Sequence, residues 1–429
     1  MLRSNLFPTD GNSRRSIATL LRGLSAYGSA ELVTRVVRLG ATIIIARQLA
    51  PEIVGQAALA LTLFELVRVL ARNGVGQQII ACSQTELAAT CNTAHRLFWA
   101  WSLLLVLVQL AVSIVLWLSF DLPTAAAMLA TLSLVYLWMP GGLVQCHLAM
   151  RDGLTGAMAR TAACQSIADA FLTAALLLIW PSPWSIVLPK LLTAPIWLVM
   201  TRRNRSWAAE PTAGHLPVAG FAKFSGAVLL AETIFAIRTQ CDNLIIAAMM
   251  GTSALGTYFF AYNAGIGIVS SLVSAFGTVA FPMLCAAVKG TERQRAILNI
   301  AAIGAAIFVP MTLVQALAAP FYVPLVFGNQ WTSAATLVAI LCLLGLPLLL
   351  ATLTTVWQRS EGRAANDAAG QAIACIAALG GLFIGATSGS IEMAAIGLVI
   401  GHTLAALFNM VRAAAPEFNL LKSRMETLS

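Results

Sequence analysis

Apolar residues run through this chain in blocks of twenty or so, separated by short clusters of Arg, Asp, Gly, Pro and Ser. A helix needs roughly 20 mainly apolar residues to cross the hydrocarbon core. Twelve blocks meet that requirement: 23–46, 54–73, 97–120, 123–148, 154–180 and 183–200, then 221–250, 255–282, 297–319, 333–357, 364–388 and 393–412. Apolar residues do not alternate along them, as they would in the short strands of a membrane barrel. The pattern predicts an all-α integral membrane protein of about twelve spans. Its polar breaks divide it into an N-terminal tail (1–22), a six-helix bundle (23–200), a basic linker (201–220), a second six-helix bundle (221–412) and a C-terminal tail (413–429).

The two bundles carry an internal repeat. Sliding the chain along itself by 201 positions superposes Ala30, Glu31, Ile44, Ile45, Ala46, Gly55 and Ala60 on Ala231, Glu232, Ile245, Ile246, Ala247, Gly256 and Ala261. Duplicated halves in membrane proteins commonly rock about a central site, so the repeat predicts alternating access between the bundles.

Composition agrees with the pattern: 59% of residues are hydrophobic and 10% charged, which excludes a water-soluble domain. Of the 26 Lys and Arg residues, 21 fall on one side of the predicted topology. The opposite loops, around Leu122, Pro181 to Pro183, Thr252, Asn329 and Thr387 to Ser390, carry none, and Arg47 is the near exception. Positive residues stay in the cytoplasm when loops are short, so both termini are predicted inside. The net charge of +9 then reflects topology and contact with anionic lipids, not nucleic-acid binding. The Arg202-Arg203-Asn204-Arg205 cluster reads as a solvated inner loop. Eight cysteines without paired spacing read as free thiols. The twin-arginine start at Arg14-Arg15 is not followed by a clean apolar segment, because Glu31, Arg35 and Arg38 interrupt it.

Little in the chain supports chemistry. His95, His147, His215 and His402 are isolated, no metal-ligand spacing occurs, and there is no phosphate-cradling GxxxxGK. No catalytic residue and no cofactor is predicted. A membrane glycan polymerase or ligase would need a sizeable outer loop to hold a saccharide, and the outer loops here are short.

Five basic residues lie outside the inner segments: Arg35, Arg38, Arg47, Lys190 and Arg238. A charge near the bilayer centre costs about 2.5–3.5 kcal/mol on insertion scales unless it meets water or a partner. Glu31, Arg35 and Arg38, spaced i, i+4, i+7, share a face of the first span. Glu232, Arg238 and Asp242 occupy the corresponding span of the repeat. The two faces either line a water-filled central cavity or neutralise themselves through i,i+4 pairs. Arg38 and Lys190 lack a local partner, which favours the cavity. Lys190 lies between Pro189 and Pro195, so a kink or break is expected in the sixth span. Embedded Glu65 and Asp169 could each bind a coupling cation or pair with a base. Gly381, Gly385 and Gly389, with Gly397 and Gly401, predict close approach of the last two spans. Trp117, Trp180, Trp184 and Trp331, near outer ends, read as interfacial anchors.

The order Ala46-Arg47-Gln48-Leu49-Ala50-Pro51-Glu52-Ile53-Val54-Gly55, Gly74-Val75-Gly76-Gln77, Asp242-Asn243 with Gly251 through Tyr258, Phe281-Pro282 and Phe327-Gly328-Asn329-Gln330-Trp331 resembles the Wzx-type polysaccharide transporter family. That family belongs to one superfamily with the MATE drug exporters and lipid II flippases. Ala248 stands where many relatives have a basic residue, so no site is carried over there. The resemblance implies a flippase of the bacterial inner membrane that moves an undecaprenyl-diphosphate-linked oligosaccharide outward, for lipopolysaccharide O-antigen or exopolysaccharide synthesis. It also implies a polysaccharide polymerase and chain-length proteins as partners. On this reading Glu31, Arg35, Arg38, Lys190, Glu232, Arg238 and Asp242 would contact substrate, the basic ones supplying countercharge to the diphosphate. The rivals are a cation-coupled multidrug exporter, expected to favour an acidic, aromatic cavity, and the polymerase or ligase disfavoured above.

Overall fold

The computed structural model describes residue 34 and residues 37–286 and 291–426, and every regular element among them is helical. The predicted tail 1–22, Glu31 and Arg35 lie outside the described residues, as does the side chain of Arg238. The first helix, α1, is described over 37–48. It is followed by α2 (Pro51–Val69), α3 (Val75–Ala81), α4 (Leu87–Phe120), α5 (Pro123–Leu132), α6 (Val135–Trp138), α7 (Pro140–Arg151), α8 (Thr155–Ile179) and α9 (Trp184–Asn204). The second half holds α10 (Ala219–Ala264), α11 (Ile266–Ala286), α12 (Thr291–Tyr322), α13 (Ala335–Cys342), α14 (Gly345–Ser360), α15 (Ala364–Ala386) and α16 (Ile391–Glu426). Eight described helices are long and apolar enough to cross a membrane, or nine if α5 to α7 form one bent span. The three other predicted spans correspond to α1, to α2 with its Glu52, Glu65 and Arg68, and to α11 with its Pro282.

Chain reversals follow from backbone chemistry. Proline opens α2, α5 and α7, where its missing N–H is unneeded. Gly251 adopts φ 84° inside α10, a left-handed conformation that favours glycine. The consequence is measurable 16 positions apart: Tyr258 Oη donates to Asp242 Oδ2 at 3.0 Å. A straight helix would separate these residues by about 24 Å. The chain therefore turns back at Gly251, and α10 is two antiparallel arms, 219–250 and 252–264.

The break expected in the sixth span is found elsewhere. α9 is one helix despite Pro189 and Pro195 inside it. Neighbouring α8 holds it on both sides of Pro195, through Lys190 Nζ on Asp169 Oδ2 at 2.6 Å and Asn204 Nδ2 on Thr161 Oγ1 at 2.9 Å. The fourth span is bent instead, by 53° between α5–α6 and α7. The Arg202 cluster is exposed, as its charge predicts, but it is not a loop. It ends α9, where Arg202 Nε donates to Gly141 O at 2.8 Å and Arg205 Nε to Asp152 Oδ2 at 2.8 Å. The linker is strapped to the N-terminal bundle, with Asn92 Nδ2 donating to Glu210 O and the Leu216 N–H donating to Thr93 Oγ1. α16 continues to Glu426, through most of the segment read as a tail.

α15 and α16 meet where the glycine spacing predicts. A methyl at Gly381 would strike the Gly397 carbonyl, and one at Gly397 the Gly381 carbonyl. Small residues there let two backbones touch. Leu107, Leu118, Ile179, Leu317 and Ile384 face outward and exposed, as a lipid-facing surface requires.

Candidate functional site

The two bundles meet at two junctions of opposite character. The first joins the α1–α2 turn to the Gly251 turn. A methyl on Gly55 would collide with the Thr252 carbonyl, and one on Gly256 with the Pro51 carbonyl. These positions are related by the repeat: Gly256 lies 201 positions after Gly55, as Thr252 does after Pro51. The contact is thus a local two-fold, made by equivalent turns against each other. Ser253 Oγ donates to Glu52 Oε1 at 3.1 Å, again across a 201-residue separation.

Side chains of the second half lock the same junction. Trp331 is fully buried, donates from Nε1 to Ala46 O at 2.7 Å, and packs on Phe260 with ring centroids 3.9 Å apart. Gln330 Nε2 also donates to Ala46 O. In return Arg47 gives Nε to Val326 O at 2.9 Å and Nη2 to Leu325 O at 2.8 Å, satisfying carbonyls at the end of a π-helical turn, Val323–Phe327. Trp331 is therefore a buried clamp between bundles and not an interfacial anchor. Arg47, the exception to the charge pattern, is accounted for by the same clamp.

The second junction lies at the far end of α2. Arg72 Nη1 meets Glu232 Oε2 of α10 at 3.2 Å, and the pair is half open to solvent. Gly74, with φ 80°, brings the chain against Ser225 and Val228, and Gln78 Nε2 donates to Gly220 O at 3.3 Å. A cavity of about 200 Å³ sits there, lined by Glu65, Arg68, Arg72, Gln77, His147 and Glu232. Arg68 donates to Glu65 Oε2 at 2.6 Å. The cavity thus holds two guanidinium–carboxylate pairs that an incoming anion could re-pair.

The predicted residues that are described lie in separate places. Glu232 joins the charged junction, whereas Asp242 is held by Tyr258 nearer the Gly251 turn. Lys190 has the partner that its own helix did not offer, Asp169 of α8, with side chains 34% and 16% exposed. Arg38 Nε donates to Ser166 Oγ of α8 at 3.1 Å and has no carboxylate partner among the described residues. Both embedded acids proposed for a coupling cation, Glu65 and Asp169, are held by cations. Among the described residues no group of three metal-ligating side chains occurs, and all eight cysteines are free. Arg72, Arg47 and Trp331 were not among the predicted site residues; their place in the ordered motifs, or beside them, was the available signal.

These junctions are built from the motifs named above, and comparison with known proteins agrees. The profile of the polysaccharide biosynthesis protein family matches residues 44–336. Lipopolysaccharide biosynthesis protein WzxC of Escherichia coli strain K12 is 29% identical over 123 residues, which is 28% of this chain and only a quarter of that relative's length. Among solved structures, the lipid II flippase MurJ in an inward closed conformation superposes with a TM-score of 0.70 at 11% identity, over 90% of this chain and 87% of the other. An inward-facing multidrug resistance MATE family transporter gives 0.61 at 15% identity, over 89% and 95%. A MOP superfamily transporter from Pyrococcus furiosus gives 0.57 at 14%, over 92% and 93%. The chain is a multi-pass membrane protein of the MOP fold, and it belongs to the polysaccharide biosynthesis protein family.

Proposed function

We propose that this protein is a flippase that carries a lipid-linked oligosaccharide, built on undecaprenyl diphosphate, from the inner to the outer leaflet of a bacterial inner membrane. The observation that carries the reading is the pair of unlike junctions between repeated halves: one of close backbone packing at the end assigned outward by the Lys/Arg distribution, and a charged, partly exposed one at the end assigned inward. Such an arrangement is closed to the outside and held shut on the inside by groups that an anion can displace. WzxC and MurJ, named for lipopolysaccharide biosynthesis and lipid II flipping, support a lipid-linked cargo.

A diphosphate entering a low-dielectric region needs countercharge. Arg68 and Arg72 supply it at the mouth, and Arg38 supplies a cation deeper along α1. The polyprenyl tail can stay in the bilayer. The ion pairs of Glu65 with Arg68 and of Asp169 with Lys190 occupy both acids considered for a coupling cation, which favours this reading over a cation-coupled drug exporter. The short outer loops favour transport over glycan polymerisation.

The test is flipping in proteoliposomes loaded with the lipid-linked oligosaccharide. Arg38→Ala is expected to lower flipping at least tenfold with inserted protein unchanged, and Arg38→Lys to retain part of it. Full flipping by Arg38→Ala would remove that residue from the substrate path, and wild-type protein that moves no lipid-linked glycan would end the flippase reading.

A further inference from the structure

A second, larger concavity lies away from both junctions, between α11 and α14 of the C-terminal bundle. It measures about 550 Å³, within the range of roughly 300–1,000 Å³ typical of small-molecule sites. Both helices run from the glycine junction toward the end that carries Arg72: α14 follows the Trp331 clamp through α13, and α11 follows the 252–264 arm. The groove therefore opens on the half of the membrane where a cargo headgroup would enter.

Its chemistry is unusual for a membrane interior. Ser270, Ser274 and Thr278 line the α11 wall with Thr352 on the α14 side, Phe281 flanks the α11 hydroxyls at 40% exposure, and Arg359 closes the end. The hydroxyls of Ser270 and Thr278 donate back to helix carbonyls Gly267 O and Ala275 O, leaving their oxygens to accept. Arg359 is aimed by a buried carboxylate. Its Nε donates to Asp367 Oδ2 at 2.7 Å, while Asp367 Oδ1 accepts from Thr355 Oγ1 at 2.8 Å and Asp367 itself is 7% exposed. Among the described residues the two Nη groups of Arg359 have no partner, and the side chain is 57% exposed. A guanidinium fixed at one edge and open at the other presents two parallel donors to a carboxylate. Hydroxyl acceptors beside an aromatic face suit a sugar ring, whose hydroxyls donate and whose C–H face is drawn to the ring's negative face.

From this arrangement we infer that the α11–α14 groove is a headgroup subsite for an acidic sugar of the glycan, with Arg359 taking the carboxylate and Asp367 acting as a positioning residue. The inference rests on the flippase reading for its cargo, and it narrows that cargo to a glycan bearing a uronate-like unit. The diphosphate stays with Arg68, Arg72 and Arg38.

The experiment is ligand-observed NMR on the purified full chain in lipid nanodiscs, with methyl glucuronide, methyl glucoside and inorganic pyrophosphate as probes. Glucuronide should bind at least tenfold tighter than glucoside. The Arg359→Gln, Asp367→Asn double variant, which removes the charge without stranding a buried carboxylate, should erase that preference, and Arg359→Lys should keep part of it. Ser274→Leu, which fills the groove and leaves the ion pair alone, should weaken both sugars. Equal binding of the two sugars by wild-type protein would overturn the subsite, as would a preference that survives the double variant. Pyrophosphate that displaces glucuronide more tightly than glucuronide itself binds would assign the groove to phosphate instead. Soluble probes read the groove without transport, so a failed flipping assay would strike the flippase reading alone.

Discussion

The glycine junction and the charged junction lie at opposite ends of α2 and are held by different physics. At the first, Gly55 and Gly256 let backbones touch, so the contact is mainly dispersion, sealed by the buried Trp331 hydrogen bond and rimmed by exposed hydrogen bonds from Arg47 and Ser253. At the second, Arg72 and Glu232 meet with side chains 57% and 28% exposed. Exposed ion pairs contribute about 0–1 kcal/mol and weaken with salt. The difference teaches which end yields first. The charged end can open at small cost and in exchange for another anion, whereas the glycine end must separate as a whole.

The largest expected effect comes from making the tight end permanent. In a background without the eight native cysteines, Glu52→Cys with Ser253→Cys should be bridged by a short bis-methanethiosulfonate cross-linker, since the native Glu52 carboxylate reaches Ser253 Oγ at 3.1 Å. Flipping should stop on cross-linking and return on reduction. Undiminished transport by the cross-linked protein would show that this end need not open.

A smaller but still severe effect is expected from bulk at the same place. Gly256→Leu should lower flipping at least tenfold and raise labelling of a reporter cysteine at Ala50 by an outside reagent. Gly55→Leu should do the same, and the two together should be little worse than either, because both disrupt one contact. Additive losses would mean two independent contacts and break the two-fold description.

The smallest effect belongs to the charged end. Glu232→Gln should alter flipping by less than about threefold, with the difference from wild type fading at high salt. A loss as large as that of Gly256→Leu would erase the contrast between junctions.

The sequence was legible wherever the signal is local. Span positions, two bundles and close packing of α15 on α16 follow from runs of apolar residues and from glycine spacing. The repeat marked Gly55 and Gly256 as equivalent without showing that they touch. Trp331 was misread because a tryptophan near a span end has the same local context whether it faces headgroups or a neighbouring bundle. Lys190 lacked a partner on its own helix, but Asp169 lies 21 positions back on another. Pro189 and Pro195 suggested a break in α9 that its ties to α8 oppose.

By itself the sequence determined that the chain is a duplicated, all-helical membrane protein with a marked charge asymmetry, because insertion into lipid depends on composition summed over each span. Tertiary structure alone decided which turns meet, which charges are paired and where grooves remain. Those outcomes depend on contacts between residues 21, 160 or 201 positions apart, and a side chain reaches only a few ångströms, so its partner is chosen by how whole helices pack.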